Sequence, residues 1–159
     1  MKRTTINEEV DAAISALGNP TAFVEAEIPA WLTPFEQGLP FRLPPSYRSF
    51  LHRYRFPAFV VGSVKLFGNM DGKDYDDVVV AAARDRRIAA ATRANGFIQI
   101  GHPSSGNYDP VCLDLRRRSS RDEAGIVRLD HEAILINESI RVVEKVAASF
   151  LELLARFRG

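Results

Sequence analysis

The chain has 159 residues and a mass of 17.7 kDa, with 46% hydrophobic and 26% charged residues; that is apolar material for one core, too little length for two ordinary domains, and too hydrophobic for a disordered chain. Its 21 Lys and Arg against 20 Asp and Glu leave a formal charge of +1, so no global field drives adhesion to nucleic acid or membrane. No run reaches the roughly 18 apolar residues of a membrane helix and no signal-type segment follows Met1. Cys112 stands alone, so it forms neither an internal disulfide nor a cysteine-clustered zinc site. The expectation is a cytoplasmic protein of one domain over 1–159, with an N-terminal helical extension over 1–42.

Thr5 followed by Glu8 predicts a capping box, and Ile6, Val10, Ile14 and Leu17 share one helical face until Gly18 and Pro20 stop it. Pro29, Pro34, Gly38 and Pro40 limit any following helix to a short one, pinned by Trp31 and Phe35. A second helix opens at Pro44-Pro45, where a missing N–H costs nothing. It buries Tyr47, Phe50, Leu51 and Tyr54, turns Arg48, His52, Arg53 and Arg55 away, and ends at Pro57. Residues 58–67 read as one strand bent at Gly62, 69–77 as a polar turn, and the alanine-rich 78–95 as a helix stopped by Gly96.

Strands are expected at 97–100, 111–115 and 126–129, with loops at 101–110 and 116–125, a fourth strand at 133–136, and a closing helix from near 140. The closing helix carries Val143, Val146, Phe150, Leu151, Leu154 and Phe157 on one stripe. Helices first, a meander next and a helix last make the fold α+β, with a sheet of about four to six strands.

The chemistry-bearing residues form no recognisable catalytic or metal set. Gly62, Gly68 and Gly72-Lys73 lack the Lys-Ser/Thr of a phosphate-cradling loop, and Ser63, Ser104 and Ser105 lack the flanking glycines of a nucleophile elbow. On a strand, Asp130-His131-Glu132 would point to alternate faces and could not share an ion. Asp71, Asp74, Asp76 and Asp77 lack the calcium-loop spacing, and Asp76 or Asp77 serves better as the cap of the helix starting near Val78. Cys112, between Val111 and Leu113, reads as buried and inert. His52 and His102 read as solvent-facing.

Charge is uneven within the neutral whole. Residues 1–40 hold six acids and two bases, 41–70 hold five bases and no acid, and the aspartate run 71–77 follows. Arg116-Arg117-Arg118 with Arg121 is the sharpest basic feature, and no aromatic beside it suits it to single-stranded nucleic acid.

Three stretches, taken in order, resemble the SUKH superfamily of Smi/Knr-like domains, which includes a yeast cell-wall-assembly regulator and many bacterial immunity proteins. The first is Leu43-Pro44-Pro45-Ser46-Tyr47-Arg48-Ser49-Phe50-Leu51. The second joins Phe97-Ile98-Gln99-Ile100-Gly101 to Asn107-Tyr108-Asp109-Pro110-Val111-Cys112-Leu113-Asp114-Leu115. The third is Ile126-Val127-Arg128-Leu129-Asp130-His131-Glu132 with the later Ala148-Ser149-Phe150-Leu151-Glu152-Leu153-Leu154. The motif-bearing region is 43–154.

The resemblance implies a curved, mainly antiparallel sheet with flanking helices, and binding instead of catalysis. It implies a bacterial immunity protein that neutralises a cognate toxin domain of the nuclease or deaminase class by direct contact. No cofactor, metal, nucleic acid or membrane takes part, and the protein acts as a monomer or weak homodimer. The candidate contact residues are Asp71, Asp74, Asp76, Asp77, Tyr108, Arg116, Arg117, Arg118 and Arg121. The alternative is an intracellular regulatory scaffold. A small metal-dependent hydrolase using Asp130, His131 and an aspartate ranks last.

Overall fold

A computed structural model describes residues 3–18, 20–70, 77–78, 80–81 and 86–156. The centre is a sheet in which every strand pairs antiparallel with its chain neighbour: β3 (Phe59–Val61), β4 (Val64–Leu66), β5 (Phe97–Pro103), β6 (Val111–Arg118), β7 (Ala124–Leu129) and β8 (Val142–Ala147). A separate small ladder joins β1 (Val24–Glu25) to β2 (Tyr54–Arg55). The helices are α1 (Ile6–Ser15), α2 (Leu32–Gln37), α3 (Pro45–Arg53), α4 (Arg86–Ala94), α5 (His131–Asn137) and α6 (Phe150–Ala155). The architecture is α+β, as expected.

Side chains alternate across a strand, and here both faces of the sheet are covered. Ile98, Ile100, Val111, Leu113 and Ile126 meet α1, α3 and α6 in the main core. Phe97, Cys112, Val127 and Leu129 meet Ile88 of α4 and Ile134 of α5 in a second cluster on the opposite face. This explains the imperfect polar alternation of 111–115: a strand buried on both sides has no solvent face to mark.

The aromatic centre of the main core is supplied by the double-proline helix. Phe50 stacks on Phe56 with ring centroids 4.1 Å apart, and Phe23, Phe59 and Phe150 pack around the pair. Leu43, Tyr47 and Leu51 are buried, as their spacing requires. Two glycines permit close backbone approach: a Cβ at Gly101 would lie 2.3 Å from the Lys65 carbonyl oxygen, and one at Gly68 would lie 2.6 Å from that of Phe56.

Several expected elements differ. The single bent strand over 58–67 is a hairpin, because Gly62 takes φ +60° and lets β3 and β4 fold back on each other. Helix α3 ends at Arg53, since Tyr54 goes extended to pair with Glu25. Strands β5 and β6 run on to Pro103 and Arg118, into the segments read as loops. The expected strand at 133–136 is helix α5: the Asp130 carboxylate accepts from the amides of Glu132 and Ala133 and starts it. Residues 142–147 are the edge strand β8, and the closing helix begins only at Phe150, where the Ser149 hydroxyl accepts from the Glu152 amide. Phe157 lies outside the described residues, as does part of the expected helix over 78–95, of which 78, 80, 81 and 86–94 are helical. No helix among the described residues is long and apolar enough to cross a membrane.

Candidate functional site

Of the arginines expected at a hairpin tip, Arg116, Arg117 and Arg118 instead form the end of β6, while Arg121 lies in the turn that follows. Arg116 lies over the Phe97 ring, 4.5 Å from its centroid, and its guanidinium donates to both oxygens of Asp114 at 2.9 and 3.0 Å. Burial opposes the Asp114 charge, but these bonds, the Arg116 amide and the nearby Arg117 outweigh it and hold the carboxyl below its ordinary value. Gly96, at φ +85°, makes room for this side chain; a Cβ there would sit 2.6 Å from Arg116 Cγ. Arg118 donates to the Arg42 carbonyl at 2.7 Å and pairs with Asp122, which Arg42 also grips at 2.6 Å. Arg121 reaches Glu9 of α1 at 2.5 Å, and its hydrogen bond lowers the Glu9 pKa. Arg117 is exposed and forms no hydrogen bond or ion pair with a described residue.

The other candidate contact residues are placed separately. Tyr108 is 78% exposed, its ring 6.0 Å from that of His131. Asp77 is 1% exposed. It bridges to Gly68, and its carboxylate accepts from the Val80 amide at 3.5 Å, so it works at a helix start inside the fold and offers no surface to a partner. Asp71, Asp74 and Asp76 lie outside the described residues.

Beside Tyr108 the tertiary fold joins Asp109, which local sequence reading does not single out, to Asp130 and His131, the pair considered there with an unspecified aspartate. Asp109, 7% exposed, accepts from the His131 amide at 3.1 Å and meets His131 Nδ1 at 2.6 Å. Its second oxygen faces Arg128 Nε at 3.7 Å, and Arg128 also faces Glu144 at 3.5 Å. One ligand atom from each of Asp109, Asp130 and His131 falls within 4.8 Å of the others. The expected separation of Asp130 from His131 on opposite strand faces therefore does not hold, because they begin a helix. These three side chains could hold a small cation only by giving up existing bonds: Asp109 serves His131 and Arg128, and Asp130 caps α5 and faces Arg141. Asp109 lies 22 residues before His131; the one sequence signal for it was its place in the second family-like stretch.

The remaining reactive groups have structural surroundings. His52 is not turned to solvent: it meets the Glu36 carboxylate, which Arg48 also holds at 2.6 Å, tying α2 to α3. His102 lies on β5, not in a loop, with its ring against Phe67. Cys112 is fully buried, and burial, helped by Asp114, raises its thiol pKa.

An antiparallel six-stranded meander clad by helices on both faces, with ordered arginines at one strand end, defines an α+β domain. A model of the SMI1 / KNR4 family (SUKH-1) matches residues 29–156, and the chain belongs to that family. Among curated proteins, none matches the chain.

Proposed function

We propose that the protein is a non-catalytic protein-binding domain, and specifically a bacterial immunity protein that neutralises a cognate toxin by covering its active site or a nearby surface. Family membership over 29–156 is the observation that carries this reading. The arginine edge supports it. Arg116, Arg118 and Arg121 are already held by Asp114, Asp122 and Glu9, so little side-chain freedom would be lost when a partner docks. Arg117, whose guanidinium forms no hydrogen bond with a described residue, and Tyr108 are the side chains best placed to pair with a partner's carboxylates and apolar surface.

The test is co-expression with the product of the neighbouring toxin-like reading frame. The expected result is a stable complex and rescued growth, with Arg117→Glu weakening both while circular dichroism shows the variant still folded. No complex and no rescue would refute the immunity reading. The family match equally accommodates an intracellular regulatory scaffold; purification of the chain with endogenous partners, and no toxin-like neighbour, would select that reading instead.

A further inference from the structure

On the sheet face opposite the main core, α4 is anchored by buried Ile88 and Thr92 and α5 by buried Ile134. Between them an open groove of about 460 Å³ remains. Its origin lies in the sequence of α4. Ala90, Ala91 and Ala94 offer only methyl groups where larger side chains would normally fill the space between neighbouring helices. With Ile134 they make an apolar floor that follows α4 for roughly 6 Å, at the helical rise per residue.

The rim is basic. Arg86 and Arg87 line the groove, and α4 from Arg86 to Ala94 contains three arginines and no acid. Arg87 is fixed by a 2.6 Å bond to the Leu135 carbonyl at the far end of α5, while Arg86 forms no hydrogen bond or ion pair with a described residue. Glu138 is the acid among the lining residues. On α5 itself, Leu135 and Ile136 are 39% and 74% exposed, an apolar surface that the fold leaves uncovered.

We propose that the α4–α5 groove is a docking site for an acidic amphipathic segment of a protein partner. The segment would seat an aliphatic or aromatic side chain on the alanine floor and set its carboxylates against Arg86 and Arg87. Charge complementarity selects the occupant: an apolar trough with a cationic rim favours an acidic helix and disfavours a basic one. The proposal rests on the protein-binding reading, but it concerns a surface distinct from the arginine edge of β6.

The probe is a synthetic peptide of glutamates with leucines at i, i+4 spacing, titrated into the ¹⁵N-labelled full chain. A lysine-for-glutamate counterpart, inorganic phosphate and a short single-stranded DNA serve as comparisons. Amide shifts from the acidic peptide should centre on Ala90, Ala91, Ala94 and Ile134. Affinity should fall about tenfold or more in Arg86→Glu and in the groove-filling but neutral Ala94→Gln, both at exposed positions, with circular dichroism unchanged. Shifts elsewhere, equal binding of the lysine peptide, or tighter binding of phosphate or DNA at the groove would overturn the proposal. With a toxin in hand the two readings separate. A toxin that binds both variants as tightly as the parent chain overturns the groove and leaves immunity standing. A toxin that never binds, while the acidic peptide maps to the groove, overturns immunity and supports the groove.

Discussion

Ser46 and Glu123, 77 residues apart, form a two-point contact: the Ser46 amide donates to one carboxylate oxygen at 3.0 Å and its hydroxyl donates to the other at 2.7 Å. Pro44, the residue preceding α3, provides no side-chain cap. The turn after β6 therefore supplies one, placing a negative charge where the first amides of α3 point outward. Both residues are buried. Glu123→Ala should lower stability by about 1–3 kcal/mol, the usual cost of orphaned buried donors. Ser46→Ala should cost less, because its amide remains bonded. A double-mutant cycle by denaturant unfolding checks the coupling; independent, additive effects would contradict it.

The other end of α3 depends on Asn69, which is fully buried. Its side-chain oxygen accepts from the Phe56 amide at 3.1 Å, and its nitrogen donates to the carbonyls of Leu51 and Tyr54 at 3.0 and 2.9 Å. Asn69→Ala should destabilise by at least about 2 kcal/mol through these unsatisfied groups. Asn69→Asp should be no better, since it keeps the acceptor, loses both donations and buries a charge. Chemical denaturation of both variants makes the comparison.

Acid should unfold the protein through several carboxylates at once. Hydrogen bonding from Arg53 lowers Asp11, bonding from Arg121 lowers Glu9, and Arg116 and Arg117 overcome burial to lower Asp114. Each binds its proton less readily folded than unfolded. Its contribution is therefore complete above the ordinary carboxylate range near pH ~4 and drains away as pH falls through the folded values. Asp11→Asn should flatten this acid limb in a plot of unfolding free energy against pH.

Alkali acts on Tyr54. Burial first, then the 2.5 Å bond that its hydroxyl donates to Asp11, pushes its pKa up to about 12. An ionising group raised in the folded state favours folding below its unfolded value near ~10, and that contribution is lost between there and about 12. Tyr54→Phe should be less stable at pH 7 and lose less on raising the pH. Ultraviolet titration of tyrosinate absorbance, compared with the parent chain, measures the difference.

Cys112 should resist thiol reagents until the chain unfolds. It lies between two packed layers, and burial disfavours its thiolate. The native protein should show no labelling on the timescale over which the denatured protein reacts fully. Rapid native labelling would mean that α4 and α5 open readily.

The elements legible in the chain were those whose causes are local. The capping box of Thr5 and Glu8, the Pro45 opening of α3 and the Gly96 stop each depend on residues within one or two turns. The stretches at 43–51, 97–101 with 107–115, and 126–132 with 148–154 pointed to the family because their order preserves core positions such as Leu43, Tyr47 and Phe150. The end of the chain was misread where local signals compete. Val143, Val146 and Phe150 fit a helical stripe, yet backbone pairing with β7 draws 142–147 into the sheet. Near His131, the Asp130 cap turns a short apolar run into a helix.

The sequence alone thus determined the buried face of α3, which turns and caps begin or end several helices, and to which family the ordered motifs point, because sterics, hydrophobic period and capping act over a few residues. Only the tertiary structure decided that Glu123 caps α3, that Asp109 joins His131, that Arg116 lies over Phe97, and that alanines on α4 leave a basic-rimmed groove. These depend on strand register and on how helices seat against the sheet, relationships set by packing between distant segments that no local spacing encodes.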